Sequence, residues 1–175
     1  MHDWPGRAYA ETLRAWPTLV RTVERIEARP ELYAGAILLG SLSRGAGDAV
    51  SDVDLVAVVE RGRWDEAWAR RHELSAGALR TFDRIEDETS LIGGHAWLNE
   101  EIVKVECLLA ERGGKLKLYG DVVSVLGDPA LQDEFERGPQ LTRQAVDEYA
   151  NERKDRGELD PVEQAYWDLV TALRQ

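Results

Sequence analysis

Apolar side chains recur every three or four residues between Arg7 and Ala28, which is the spacing of one buried face of a helix. Pro17 interrupts this stretch, and proline is tolerated in the first turn of a helix but not in its interior. We therefore expect a short helix, a break near Trp16 and a second helix that ends before Pro30.

The remainder of the chain divides into runs with either a strand-like or a helical pattern. Apolar runs predict strands at residues 35–39, 52–60, 91–98, 102–110 and 121–126. Helical spacing predicts helices at residues 64–80, 130–137, 140–154 and 161–174. Asn99-Glu100-Glu101 joins two of the strands, which indicates an antiparallel hairpin. This order of elements predicts an α+β fold with a mixed sheet flanked by helices.

A strong turn signal, Gly127-Asp128-Pro129, marks the change from strands to helices. We therefore expect one domain at residues 1–128 and a C-terminal helical segment at residues 129–175 that packs on it. A chain of 175 residues that is 43% hydrophobic has enough apolar material for one sizeable core.

The charge and the cysteine content narrow the classes of function. A formal net charge of -11 disfavours a nonspecific grip on nucleic acid, which needs Lys and Arg to neutralise phosphates. The one cysteine, Cys107, excludes an internal disulfide framework and a thiolate metal cluster. No signal peptide and no run of about 20 apolar residues is visible, so we expect a cytoplasmic protein without a membrane partner.

Two aspartates stand at the start of one predicted strand. Asp52 and Asp54 would project from the same face, because successive side chains of a strand alternate between faces. Two carboxylates so placed repel each other, and solvent, basic partners or divalent cations relieve the repulsion. The pair alone does not decide among these three remedies.

A glycine-serine turn precedes the pair. Gly40 and Ser41 follow the first predicted strand directly, and the loop after them is rich in small residues whose backbone N–H groups can approach a phosphate. This loop lacks the lysine of a P-loop and the spacing of a dinucleotide-binding GxGxxG motif.

Taken together, GSLSRG followed by SDVDL between two apolar strands resembles the signature of the DNA polymerase β-like nucleotidyltransferase superfamily. The version here is most similar to the minimal and the antibiotic-modifying nucleotidyltransferases. The resemblance implies that Gly40 and Ser41 hold the triphosphate of an NTP and that Asp52 and Asp54 bind two Mg²⁺ ions. It also implies a third carboxylate on a later strand.

The best candidate for that third carboxylate is Glu106, a charged residue within an otherwise apolar predicted strand. A charge at such a place needs a partner. The alternative is a structural ion pair between Glu106 and Lys104 or an arginine. A polar stretch whose register the pattern does not fix contains further acids, namely Asp83, Glu86, Asp87 and Glu88.

Other polar residues leave alternatives open. Arg44 matches an arginine often found in the small members of the superfamily and could reach a phosphate, but it could equally be a surface loop residue. Lys104 could contact a phosphate or form a salt bridge with one of the acids. His72 and His95 lack metal-ligand spacing, so we expect them to be structural or exposed.

The expected activity is Mg²⁺-dependent transfer of a nucleoside monophosphate from an NTP to an acceptor hydroxyl. The resemblance leaves the acceptor open: a small, antibiotic-like molecule or a protein partner, as for minimal enzymes that act as antitoxins. We favour a small molecule because this chain has its own C-terminal helices, whereas the minimal enzymes are usually shorter. A nucleotide-binding module without turnover is the third possibility. The sequence pattern fixes neither which NTP is used nor the oligomeric state.

Overall fold

A computed structural model describes the backbone of all 175 residues and every side chain except those of Ile85, Glu86, Arg143, Val146 and Ala150. The chain divides into two units, Met1–Gly138 and Pro139–Gln175. Packing of a C-terminal segment on the rest of the chain stays a prediction.

In the part of the chain that the structure describes, the first unit contains four α-helices, two short 3-10 helices and eight strands. The helices are α1 Arg7–Ala10, α2 Trp16–Glu27, α3 Gly40–Ser43 and α4 Trp64–Ala69. The strands are β1 Tyr33–Leu38, β2 Val53–Val59, β3 Arg80–Asp87, β4 Ile92–Leu98, β5 Lys104–Glu111, β6 Lys117–Tyr119, β7 Val123–Leu126 and β8 Glu136–Gly138.

Six of these strands form one sheet in the order β3-β4-β5-β2-β1-β7, and β6 pairs with β8 in a second, two-stranded sheet. In the large sheet β2 and β5 run parallel, and the other neighbouring strands run antiparallel. The expected α+β architecture with a mixed sheet flanked by helices is therefore confirmed. The hairpin predicted around Asn99 is the antiparallel pair β4-β5.

Alternation along the strands gives the large sheet two different faces. On one face Leu55 of β2 and Cys107 of β5 lie side by side in a core that also contains Leu19 and Val23 of α2. Pro17 lies in the first turn of α2, where its missing N–H costs no helical hydrogen bond. The opposite face carries a smaller apolar cluster that includes Val56. Asp54 belongs to this second face, one alternation away from Leu55.

The expected helix at residues 64–80 is wrong beyond its first part. The helix α4 ends at Ala69, the 3-10 helix Arg71–Glu73 follows, and β3 begins at Arg80. The helical spacing of apolar residues extends to Leu74 because this residue is buried in the core, although it lies outside the helix. The strand β3 was missed because it is an edge strand with many polar residues.

The expected helix at residues 130–137 is also wrong. The structure has a 3-10 helix, Leu131–Glu134, followed by β8. The two buried apolar residues of this stretch, Leu131 and Phe135, lie four positions apart, so their spacing imitates a helix. The strand β6 had no counterpart among the predicted elements.

The second unit contains the two helices α5 Arg143–Asp155 and α6 Pro161–Leu173, both of which were predicted. Side chains cap both helices: Thr142 accepts a hydrogen bond from the backbone N–H of Ala145, and Asp160 accepts one from Val162. Among the described residues, no helix is both long enough and apolar enough to cross a bilayer.

Candidate functional site

The turn after β1 brings the glycine-serine pair against the paired acids. Gly40 has a φ of +69°, and a Cβ atom at this position would overlap the Oδ2 atom of Asp54. The backbone N–H of Leu39 donates to the carbonyl of Asp54 over 2.9 Å. The absence of a side chain at position 40 therefore lets the Asp54 carboxylate lie directly on the backbone of the turn.

The acids at the start of β2 lie close enough to interact. Asp52 precedes the strand and Asp54 is its second residue. The pKa of Asp54 is raised to about 7, first by burial and then by the negative charges of Asp52 and Glu106, while Lys104 opposes the shift. Bringing the carboxylates of Asp52, Asp54 and Glu106 together is electrostatically unfavourable unless cations offset their charge.

Glu106 lies directly beside Asp54, because β2 and β5 are parallel neighbours and these two residues are partners in their register. The structure therefore brings Asp54 and the predicted third carboxylate together on one face of the sheet.

The ion pairs that were the alternative for Glu106 are present as well. The ammonium of Lys104 contacts Oε1 of Glu106, and Arg84 Nη1 lies 3.8 Å from its Oε2. Lys104 is only 1% exposed, which is exceptional for a lysine. Of the two roles left open for Lys104, the salt bridge is therefore present in this structure.

The loop that begins at Gly40 is held by its own hydrogen bonds. The hydroxyl of Ser43 lies 2.8 Å from the carbonyl oxygen of Gly40 and 2.9 Å from that of Asp121, so its one proton is shared between them. The carbonyl of Ser41 accepts from the backbone N–H of Ala46 over 2.9 Å. Arg44 lies exposed at the end of α3, and its contact with a phosphate stays a prediction.

The register of β3 separates Asp83 from the carboxylate site. Asp83 is the cross-strand partner of His95, His95 that of Cys107, and Cys107 that of Leu55. Cross-strand partners share a face, so Asp83 lies on the helix-covered face, opposite Glu106. The side chain of Glu86, another acid of this stretch, lies outside the described residues.

A second polar cluster on that helix-covered face was missed by the sequence reasoning. His72, Asp83 and His95 each place one nitrogen or oxygen within 4.8 Å of the others, and the two imidazole rings lie 5.0 Å apart. His72 is exposed and His95 is buried, so both fit the expectation of exposed or structural residues, but their proximity to each other was not predicted. The signal was hidden because Asp83 meets His95 only through the pairing of β3 with β4, and β3 was not predicted.

No protein-family model matches the chain, and no curated protein matches it. Among solved structures the chain is similar to one titled "Structure of Cid1 in complex with its short product ApU", with a TM-score of 0.38 and 17% sequence identity. The similarity covers 54% of this chain, which spans 28% of that one. A likeness this distant carries no argument about family or activity.

Proposed function

We propose that this protein is a divalent-metal-dependent nucleotidyltransferase that transfers a nucleoside monophosphate from an NTP to a hydroxyl of a small-molecule acceptor. The observation that carries the proposal is the position of Asp54 relative to Gly40 and Glu106. Its carboxylate lies on the backbone of Gly40, and it pairs in register with Glu106. The sequence motif and the geometry of the sheet support the same assignment.

The donor set fits Mg²⁺. Asp52, Asp54 and Glu106 offer hard carboxylate oxygens, which Mg²⁺ prefers. Burial and the neighbouring charges of Asp52 and Glu106 raise the pKa of Asp54, and a bound cation would favour its charged form. When bound, divalent ions would neutralise the triphosphate and activate the acceptor hydroxyl.

The chain's own residues would position the ions and the triphosphate. The carboxylates of Asp52, Asp54 and Glu106 would hold the ions, and the backbone of Gly40 and Ser41 would hold the triphosphate. Lys104 and Arg84 fix the orientation of Glu106 from its two oxygens. Such fixed placement of charged groups is a large part of catalysis in phosphoryl transfer.

The acceptor can be identified with NTPs radiolabelled at the α-phosphate. The protein is incubated with Mg²⁺, each NTP in turn and a panel of hydroxylated small molecules, and label is measured in the small-molecule and protein fractions. Label in a small-molecule product supports the proposal. Label attached to protein would replace the small molecule with a protein acceptor, and binding of Mg-NTP without any transfer would leave only a nucleotide-binding module.

The buried ion pair yields a stability prediction. Lys104→Met leaves Glu106 without its nearest cation, so we expect the free energy of unfolding in EDTA to fall by about 2 kcal/mol. Lys117→Met is the matched control, because its partner Glu136 is exposed and the pair should contribute little. Urea unfolding measures both, and equal effects of the two variants would contradict the importance assigned to Lys104.

Asp54 yields a pH prediction for the metal-free protein. Its pKa is about 7 in the folded chain against 3.8 ordinarily, so the folded state keeps a proton that the unfolded state releases in between. The free-energy cost of ionising this buried carboxyl is present in full above pH 7 and declines as the pH falls from 7 to about 3.8. Asp54→Asn should therefore be more stable than the wild type by about 4 kcal/mol near pH 8, by less than half of that near pH 5, and by almost nothing near pH 3.5.

Unfolding in EDTA across this pH range measures the difference between the two proteins. A difference that stays constant with pH would show that the carboxylate of Asp54 is not the destabilised group.

A further inference from the structure

The cluster formed by His72, Asp83 and His95 lies on the face of the sheet opposite the carboxylate site. His72 Nε2 lies 3.7 Å from Asp83 Oδ2, and His95 Nδ1 contacts Asp83 Oδ1. The imidazole of His95 is fully buried, whereas the side chain of His72 is 53% exposed. Three potential ligand atoms therefore lie close together, with the His95 side of the cluster buried and the His72 side open to water.

The donor set is that of a transition-metal site. Two imidazole nitrogens and one carboxylate oxygen form a common ligand combination for Zn²⁺. Bonds of 2.0–2.1 Å in a tetrahedral site place neighbouring ligand atoms about 3.3 Å apart. The 3.7 Å between His72 Nε2 and Asp83 Oδ2 is close to this separation, and the three donor atoms all lie within 4.8 Å of one another, so the side chains need to shift by about 1–2 Å to share one ion.

Neighbouring residues orient these ligands in the way that metal sites require. Ser75 Oγ lies 2.8 Å from His95 Nε2, so it can accept the proton of this nitrogen and leave Nδ1 to face the cluster. Arg71 Nη2 donates to Asp83 Oδ2 over 3.0 Å, and its guanidinium lies 4.4 Å from the ring centroid of Trp68. A carboxylate has enough lone pairs for both this arginine and a metal ion, although the positive charge will weaken binding.

We propose that His72, Asp83 and His95 form a Zn²⁺ site with water at the fourth position. The ion would join the 3-10 helix Arg71–Glu73 to the edge hairpin β3-β4, because the ligands come from those elements. The proposal does not depend on the nucleotidyltransferase assignment.

Zn²⁺ binding to untagged protein tests the site. The variant Asp52→Asn/Asp54→Asn is used as the background, so that the carboxylate site does not contribute. After removal of metals with EDTA, titration calorimetry should show one equivalent of Zn²⁺, and Co²⁺ should give the visible absorption of a tetrahedral site with nitrogen ligands. Bound Zn²⁺ should also raise the melting temperature.

The chain contains three histidines, which provides a matched control. His72→Ala should weaken Zn²⁺ binding at least about tenfold, and Ser75→Ala, which removes only a supporting hydrogen bond, about tenfold. His2→Ala should leave binding unchanged, because the ring of His2 contacts the carbonyl of Gly127 instead.

His72 is exposed, so its substitution is not expected to unfold the protein, whereas His95→Gln changes a buried residue and needs a folding check. Absence of a Zn²⁺ equivalent in the background protein, or unchanged binding in His72→Ala, would overturn the proposal and leave a hydrogen-bonded network.

Discussion

Replacement of Asp54 by asparagine is expected to lower the rate of nucleotidyl transfer about 1000-fold or more while the protein stays folded. The amide keeps the shape of the side chain but removes the negative charge that would hold the catalytic ions. Since Asp54 lies between the backbone of Gly40 and the side chain of Glu106, no other described carboxylate shares its position. Loss of activity should therefore accompany the gain in stability predicted above near pH 8.

The control is Asp65→Asn, an exposed acid in the first turn of α4. Its activity should equal that of the wild type within about twofold, because Asp65 lies on a helix away from the carboxylate face. Turnover is measured with saturating Mg²⁺ and NTP, and circular dichroism confirms that both variants fold. Transfer by Asp54→Asn at a rate near that of the wild type would remove Asp54 from the proposed mechanism.

Gly40→Ala is expected to have the second largest effect. The φ of +69° is unfavourable for alanine, and the added Cβ would overlap Asp54 Oδ2, which must then move. We expect a loss of about 1–2 kcal/mol in stability and a loss of transfer of about 100-fold or more, because displacement of a catalytic group by about 1 Å is already costly.

Gly62→Ala separates the effect of backbone strain from the effect of overlap with Asp54. Gly62 has a φ of +74°, yet a Cβ atom there would meet nothing within 4 Å. This variant carries the backbone strain alone, so it should lose stability by a similar amount and keep full activity. If Gly40→Ala also keeps full activity, the close approach of Asp54 to the turn is not required for function.

The elements around the carboxylate site could be predicted because their residues are buried. Valine-rich β2 and the apolar residues of β5 follow directly from the pattern, and alternation places Asp54 and Glu106 on their proper faces. That these two residues are register partners could not be predicted, since a parallel pair is fixed by tertiary packing rather than by a local turn.

The second cluster shows the limit of pattern reasoning. The strand β3 lies at the edge of the sheet, where one side of the backbone has no strand partner and polar side chains are tolerated. Its sequence therefore lacks the apolar alternation that reveals inner strands. Without β3, the sequence does not indicate that Asp83 and His95 are strand partners, or that His72 lies near them.

Crystals grown with Mn²⁺ and a non-hydrolysable NTP analogue give the most direct test of the central claim, that Gly40, Asp54 and Glu106 surround the metal-bound triphosphate. The anomalous signal of Mn²⁺ should appear within bonding distance of Asp52 and Asp54, with the triphosphate against the backbone of Gly40 and Ser41. Mn²⁺ peaks distant from both aspartates, or an analogue bound elsewhere on the chain, would contradict the account.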